Sequence, residues 1–302
     1  MIAAPVDADP FDLKVIEACN PAIDLFLDRA ELGKSADRAK QSPAFEPAHR
    51  NLRLNQRVDS RAEARLFTKR VWDRGNVAVD RAALVGRECY GGLDLSAKHD
   101  LCAFVLAFPD KRMQKFDVLA HFWTPAGAIE ARPVAERDLF KLWIKQGHIT
   151  EIPGDVIRFD WVATELGQLA KRYDIQAIAY DSWRIDDFKV ELGDLGVEVT
   201  LEAFGQGYRS MAPAIDFLID RAADGSVHHA GNPVLAACFA NAVVTTDPAG
   251  NRKLDKSKTS KAGMTRIDGA VALIMAMGAV SKRSADPGKS LNDAILARGG
   301  FA

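Results

Sequence analysis

The chain has 302 residues, 48% of them hydrophobic, with 40 basic against 41 acidic side chains and a formal net charge of −1. That is enough apolar material for one large core, and too balanced a charge for a globally basic nucleic-acid binder, so any polyanion surface must be a local patch. The four cysteines, Cys19, Cys89, Cys102 and Cys238, form no C-x-x-C pair and argue against a zinc site or a disulfide framework. With no signal-like segment and no apolar run of spanning length, a soluble protein of a reducing compartment is expected.

Residues 1–88 read as a mainly helical appendage. Asn20-Pro21 opens a helix-like segment through Leu32, residues 42–47 form a Pro-rich break, and 59–72 has helical character. Gly33-Lys34-Ser35 mimics the end of a phosphate-binding P-loop. The position five residues before that glycine is Asp28, however, inside a helical pattern, so a surface turn is expected and nucleotide binding is not.

From Cys89 the texture changes. Two apolar runs, 89–95 and 101–108, separated by a polar bend predict a hairpin, and 115–122 adds a third strand to give an antiparallel meander. Helices follow over 133–146 and 158–173, then a buried strand at 175–181, a helix over 186–195, a strand at 197–201, and helices over 211–223 and 232–242. Residues 243–246 and 252–254 flank the turn Asp247-Pro248-Ala249-Gly250-Asn251 as a second hairpin. The basic run Arg252, Lys253, Lys256, Lys258, Lys261 and Arg266 leads into an apolar helix starting near Ile267, and 284–302 reads as a flexible tail.

Three carboxylates sit among apolar neighbours at the ends of these elements: Asp94 in the first strand, Asp181 after the fourth and Asp268 at the opening of the last helix. A carboxylate in such surroundings needs a cation, a metal ion or several donors. Each alone could be a turn former or a helix N-terminal residue. Together they suit hard divalent ions, which take oxygen ligands from a few carboxylates, water and substrate phosphate. His228 and His229, a pair beside Gly231, read as structural rather than catalytic.

Gly92-Leu93-Asp94-Leu95-Ser96, Ala179-Tyr180-Asp181, Gly205-Gln206-Gly207-Tyr208 with Met211, His229 with Asn232-Pro233, Asn241, and Arg266-Ile267-Asp268-Gly269 together resemble the C-terminal nuclease domain of tailed-phage terminase large subunits. The resemblance covers about residues 89–282. It implies a ribonuclease H-like α/β fold, in which a mixed sheet with an antiparallel meander and flanking helices occupies 89–283. It further implies an endodeoxyribonuclease that uses two Mg²⁺ or Mn²⁺ ions held by Asp94, Asp181 and Asp268, with Asp100 as an auxiliary acid. Double-stranded DNA would lie along Arg252, Lys253, Lys256, Lys258, Lys261 and Arg266. The implied partners are the small terminase subunit, the portal and an ATPase, in the cytoplasm of a bacterial host, with no membrane. Residues 1–88 look like the last part of the ATPase region and its linker, and the P-loop that a full terminase carries is not found in this sequence. The rivals are a resolvase or transposase of the same fold, disfavoured by the 205–208 segment and the second hairpin, and a non-catalytic packaging subunit that binds DNA or portal.

Overall fold

The computed structural model describes residues 2–5, 8–25, 27–41, 46–56, 65–95, 101–181, 185–255 and 266–285. The chain divides into two compact units, Met1–Ala64 and Arg65–Ala302.

The first unit holds α1 (Leu13–Cys19), α2 (Arg29–Gln41) and α3 (Glu46–Arg53) around Ile16, Leu32, Ala36 and Leu54. The helix expected over 20–32 starts only at Arg29, because residues 20–25 turn back on themselves and Ile23 bridges Leu27. Gly33-Lys34-Ser35 therefore lies inside α2, where helical hydrogen bonds engage the amides that a phosphate loop would present. Ser35 Oγ lies 2.9 Å from Nδ1 of buried His49, whose Nε2 lies 2.9 Å from the Pro10 carbonyl oxygen.

The second unit carries the sheet. Its first residues already belong to it: Leu66, Phe67 and Trp72, the last in α4 (Lys69–Trp72), join the core beneath the helical layer. Strands β1 (Glu88–Asp94), β2 (Cys102–Pro109) and β3 (Phe116–Pro125) form the expected antiparallel meander. Helices α5 (Ala126–Glu130) and α6 (Val134–Lys145), strand β4 (Thr150–Ile152) and helix α7 (Phe159–Arg172) come next. Then follow β5 (Asp174–Tyr180), α8 (Ile185–Asp194), β6 (Leu201–Ala203), α9 (Tyr208–Ala223), β7 (Val227–His228) and α10 (Pro233–Asn241). A separate hairpin of β8 (Val244–Thr246) and β9 (Arg252–Leu254) precedes α11 (Asp268–Ala285).

The sheet order is β4-β3-β2-β1-β5-β6, with β7 also on β3. β5 is parallel to β1, and β6 is parallel to β5. The meander thus feeds a central β1, the ribonuclease H-like order the sequence led us to expect. β2 is buried from Cys102 through Phe108, which explains why its sequence is a continuous apolar run rather than an alternation. Short β4 and β7 and helix α5 are additions that periodicity missed, since each is too brief to show a period. The edge strand expected at 197–201 lies instead at 201–203, with the Thr200 carbonyl accepting from Ile178 N.

Strand alternation divides β1 between two cores. Cys89 and Leu93 face α7 and α8, while Tyr90 faces the layer of α9, α10 and α11. α11 is apolar on every side over Ala270–Met277 and fully buried there, as such a helix must be. It crosses the sheet flush against the backbone. A Cβ built on Gly269 would touch the Phe122 ring of β3, one on Gly92 would lie 1.9 Å from the Ala272 carbonyl oxygen, and one on Gly278 would touch Phe204, just past β6.

Candidate active site

Leu93 of β1 is in register with Tyr180 of β5, and both point into the α7/α8 core. The next residue on each chain is an aspartate. Adjacent strands lie about 4.8 Å apart, so Asp94 and Asp181 emerge side by side at the carboxyl ends of two parallel strands, on the α11 face. Asp268 opens α11 on that same face, one residue before the glycine that meets Phe122, and Phe122 and Asp94 both pair with Ala103 of β2. Asp94 is 2% and Asp268 8% exposed, while Asp181 is only partly covered.

Cys238 gives an independent sign that two of the acids share a neighbourhood. Asn232 caps α10, its side chain accepting from Val234 N and Leu235 N with Pro233 in the first turn, and this aims Cys238 at the start of α11. Burial first, and then the charges of Asp268 and Asp94 among other groups, push its thiol far above the ordinary range. A neutral, soft thiol is no ligand for a hard cation. The donors that fit one are the carboxylates.

Thr124 adds a second observation. It follows Phe122 on the same face of β3, is fully buried, and its Oγ1 has no hydrogen-bond partner among the described residues. Sequence reading passed over it because a threonine in a strand is ordinary. Among the described residues, no three His, Cys, Asp or Glu side chains gather closely enough to hold a metal alone. The acids share an edge without forming a closed cage, which is compatible with ions that keep waters and take substrate oxygens. Asp100 lies outside the described residues.

Of the basic run, Lys256, Lys258 and Lys261 also lie outside the described residues. Arg252 is on β9 and pairs with Asp216 of α9 at 2.9 Å. Lys253 sits 4.8 Å from the Tyr208 ring centroid, a cation–π contact that ties the hairpin to α9. Arg266 lines a hollow of about 470 Å³ with Gly127, Ala131, Arg132, Glu136 and Asp155, where a buried Arg132–Glu136 ion pair stacks its guanidinium 4.0 Å from the Phe140 ring centroid.

His228 and His229 lie elsewhere. His228 Nδ1 is 3.1 Å from Asp117, which also binds Arg87. Asp117 pairs with Phe108, at the end of the sheet remote from Asp94 and about 17 Å away by strand rise. His229 is buried, stacked 4.0 Å from Trp72, with Nε2 on the Trp72 carbonyl and Nδ1 accepting from Gly231 N. Burial lowers its pKa below the ordinary value. The unfolded chain therefore binds the extra proton first, and this residue's contribution to stability is present above about pH 6.5 and lost as pH falls through its lowered folded pKa. The thermal midpoint should fall over that interval, and NMR titration should show one imidazole still neutral at pH 6.5. Titration of His229 at or above the free value would remove the effect.

The model of the terminase large subunit endonuclease domain matches residues 1–283. The chain belongs to the terminase large-subunit endonuclease family. It is 36% identical over 294 residues to the terminase large subunit of Enterobacteria phage HK97, covering 97% of this chain and 56% of that protein. It is 27% identical over 278 residues to protein YmfN of Escherichia coli strain K12, covering 88% of this chain and 59% of that protein. The crystal structure of the HK97 bacteriophage large terminase matches with a TM-score of 0.65 and 36% identity, over 92% of this chain and 56% of that one. The chain thus spans little more than half the length of the terminase relatives it matches. Among the described residues, no helix is long and apolar enough to cross a membrane.

Proposed function

We propose that the chain is a metal-dependent endodeoxyribonuclease that cuts double-stranded DNA in the manner of a phage packaging terminase. The observation that carries this reading is the register of Leu93 with Tyr180 on adjacent parallel strands, each followed at once by an aspartate, Asp94 and Asp181, with Asp268 opening the helix that lies on that face. Asp94, the most buried of the acids, together with Asp181 and Asp268 and with Asp100 as an auxiliary, would hold the Mg²⁺ or Mn²⁺ ions. Such ions, when bound, supply a hydroxide near neutral pH and stabilise the leaving oxygen. The protein's own task is to fix the carboxylates on rigid elements and exclude other ligands. In this reading residues 1–64 belong to the linker side of a packaging motor, and concatemeric DNA, the small subunit, the portal and an ATPase are the partners, in the host cytoplasm. Supercoiled plasmid with Mn²⁺ should be nicked and linearised, and chelation should stop it. Failure to cut over a range of Mg²⁺ and Mn²⁺ concentrations would favour a non-catalytic DNA-binding subunit.

The hairpin supplies a separate test of where DNA lies. If Lys253 neutralises a phosphate, Lys253→Ala should weaken binding alike across sequences and reduce the slope of log K against log salt by about 0.9. An unchanged slope would take the DNA path away from β9.

A further inference from the structure

We infer that Thr124 is a positioning residue of the acidic site, its hydroxyl reserved as a hydrogen-bond partner for the hydration shell of a divalent ion at Asp268. The inference rests on the metal-dependent reading above. A buried hydroxyl without a partner is destabilising, and in native proteins such a group calls for a reason in strain, in a functional role or in an ordered water or ion. Thr124 is fully buried with Oγ1 unsatisfied.

Its position is bracketed on both sides. Two residues before it on the same strand face, Phe122 meets the start of α11 at Gly269. Three residues after it, Gly127 lines the hollow that Arg266 also lines. The chain from Arg266 through Asp268 to Gly269, three residues that span at most about 11 Å, therefore runs alongside the end of β3 between Phe122 and Gly127, the segment that holds Thr124. Phe122, Ile267 and Cys238 belong to the core cluster on this face of the sheet, and they are apolar groups or a neutral thiol. A hydroxyl placed there gains a partner when a hydrated cation arrives at Asp268, and it can accept or donate as the ion's water requires.

The test uses the full chain in its metal-free and Mn²⁺-titrated forms, read by thermal unfolding. Thr124→Val keeps the shape and removes the unsatisfied hydroxyl. Its metal-free midpoint should equal the wild type or rise by about 2–4 °C, while its Mn²⁺ affinity, from the midpoint shift against concentration, falls about tenfold. Thr124→Ser, which keeps the hydroxyl, should restore the Mn²⁺ response. An equal Mn²⁺ response in wild type and Thr124→Val overturns the proposal. So does a metal-free Thr124→Val that is less stable than wild type, because the hydroxyl would then already be satisfied. A wild type with no Mn²⁺ response at all would sink the metal reading itself and this inference with it, whereas a normal wild-type response with no difference in the variant sinks only the role of Thr124.

Discussion

Asp94→Asn should abolish metal-dependent cleavage, by about 10³-fold or more, while leaving the metal-free protein as stable as before or more so. The loss follows from the proposed role: each tenfold in rate is about 1.4 kcal/mol, and metal stabilisation of the transition state is worth several. The retained stability follows from the surroundings. Asp94 is 2% exposed, and asparagine keeps its shape while removing a buried charge. Plasmid conversion with Mn²⁺ and a thermal melt with chelator read the two halves. A variant that cuts within tenfold of wild type would exclude Asp94 as a ligand, and one that fails to fold would show that its carboxylate serves the strand rather than the site.

Gly92→Val should be the most damaging substitution outside the acids. The first added carbon would lie 1.9 Å from the Ala272 carbonyl oxygen and 2.7 Å from Ala276 N, and both are backbone atoms of a buried helix that no rotamer change can move. Overpacking usually costs about 1–3 kcal/mol, and a backbone collision belongs at or beyond the top of that range. For a unit of this size that is about 6–12 °C in thermal midpoint. Gly91→Ala is the control, because its Cβ would approach at 2.7 Å the ring of Phe104, a side chain with some room to adjust. Equal midpoints for the two variants would mean that α11 is not seated on Gly92 as described.

The meander, the central strand and the apolar last helix were legible because their patterns are long and unmixed: an uninterrupted Leu101–Phe108 run and an apolar stretch from Ile267 onward. So was the burial of Asp94, since a carboxylate between Leu93 and Leu95 contradicts its own neighbourhood. The register of β1 on β5 was not legible. Only pairing in space shows that Leu93 and Tyr180 are partners and that an acid follows each of them. Nor could sequence distinguish Thr124 from any strand threonine, because its hydroxyl is conspicuous only once its surroundings are known to lack a partner. The helix at 20–32 was misplaced for a related reason: Asn20-Pro21 is a good start signal, but here it begins a turn, and the helix waits for Arg29.

α11 runs from Phe122 on β3, over Gly92 on β1, to Phe204 beyond β6, with Asp268 at one end. Sliding that helix by a single residue would move Asp268 about 1.5 Å and turn it through about 100°, and would drive new side chains into the glycine seat. The acid's position is therefore welded to global folding, and small adjustments of the helix are not available as a throttle. If the chain cuts DNA as proposed, a restraint on cutting would work from outside the sheet, by admitting or withholding DNA and cations at its open edge. A latent form would then be fully folded and released by exposure alone.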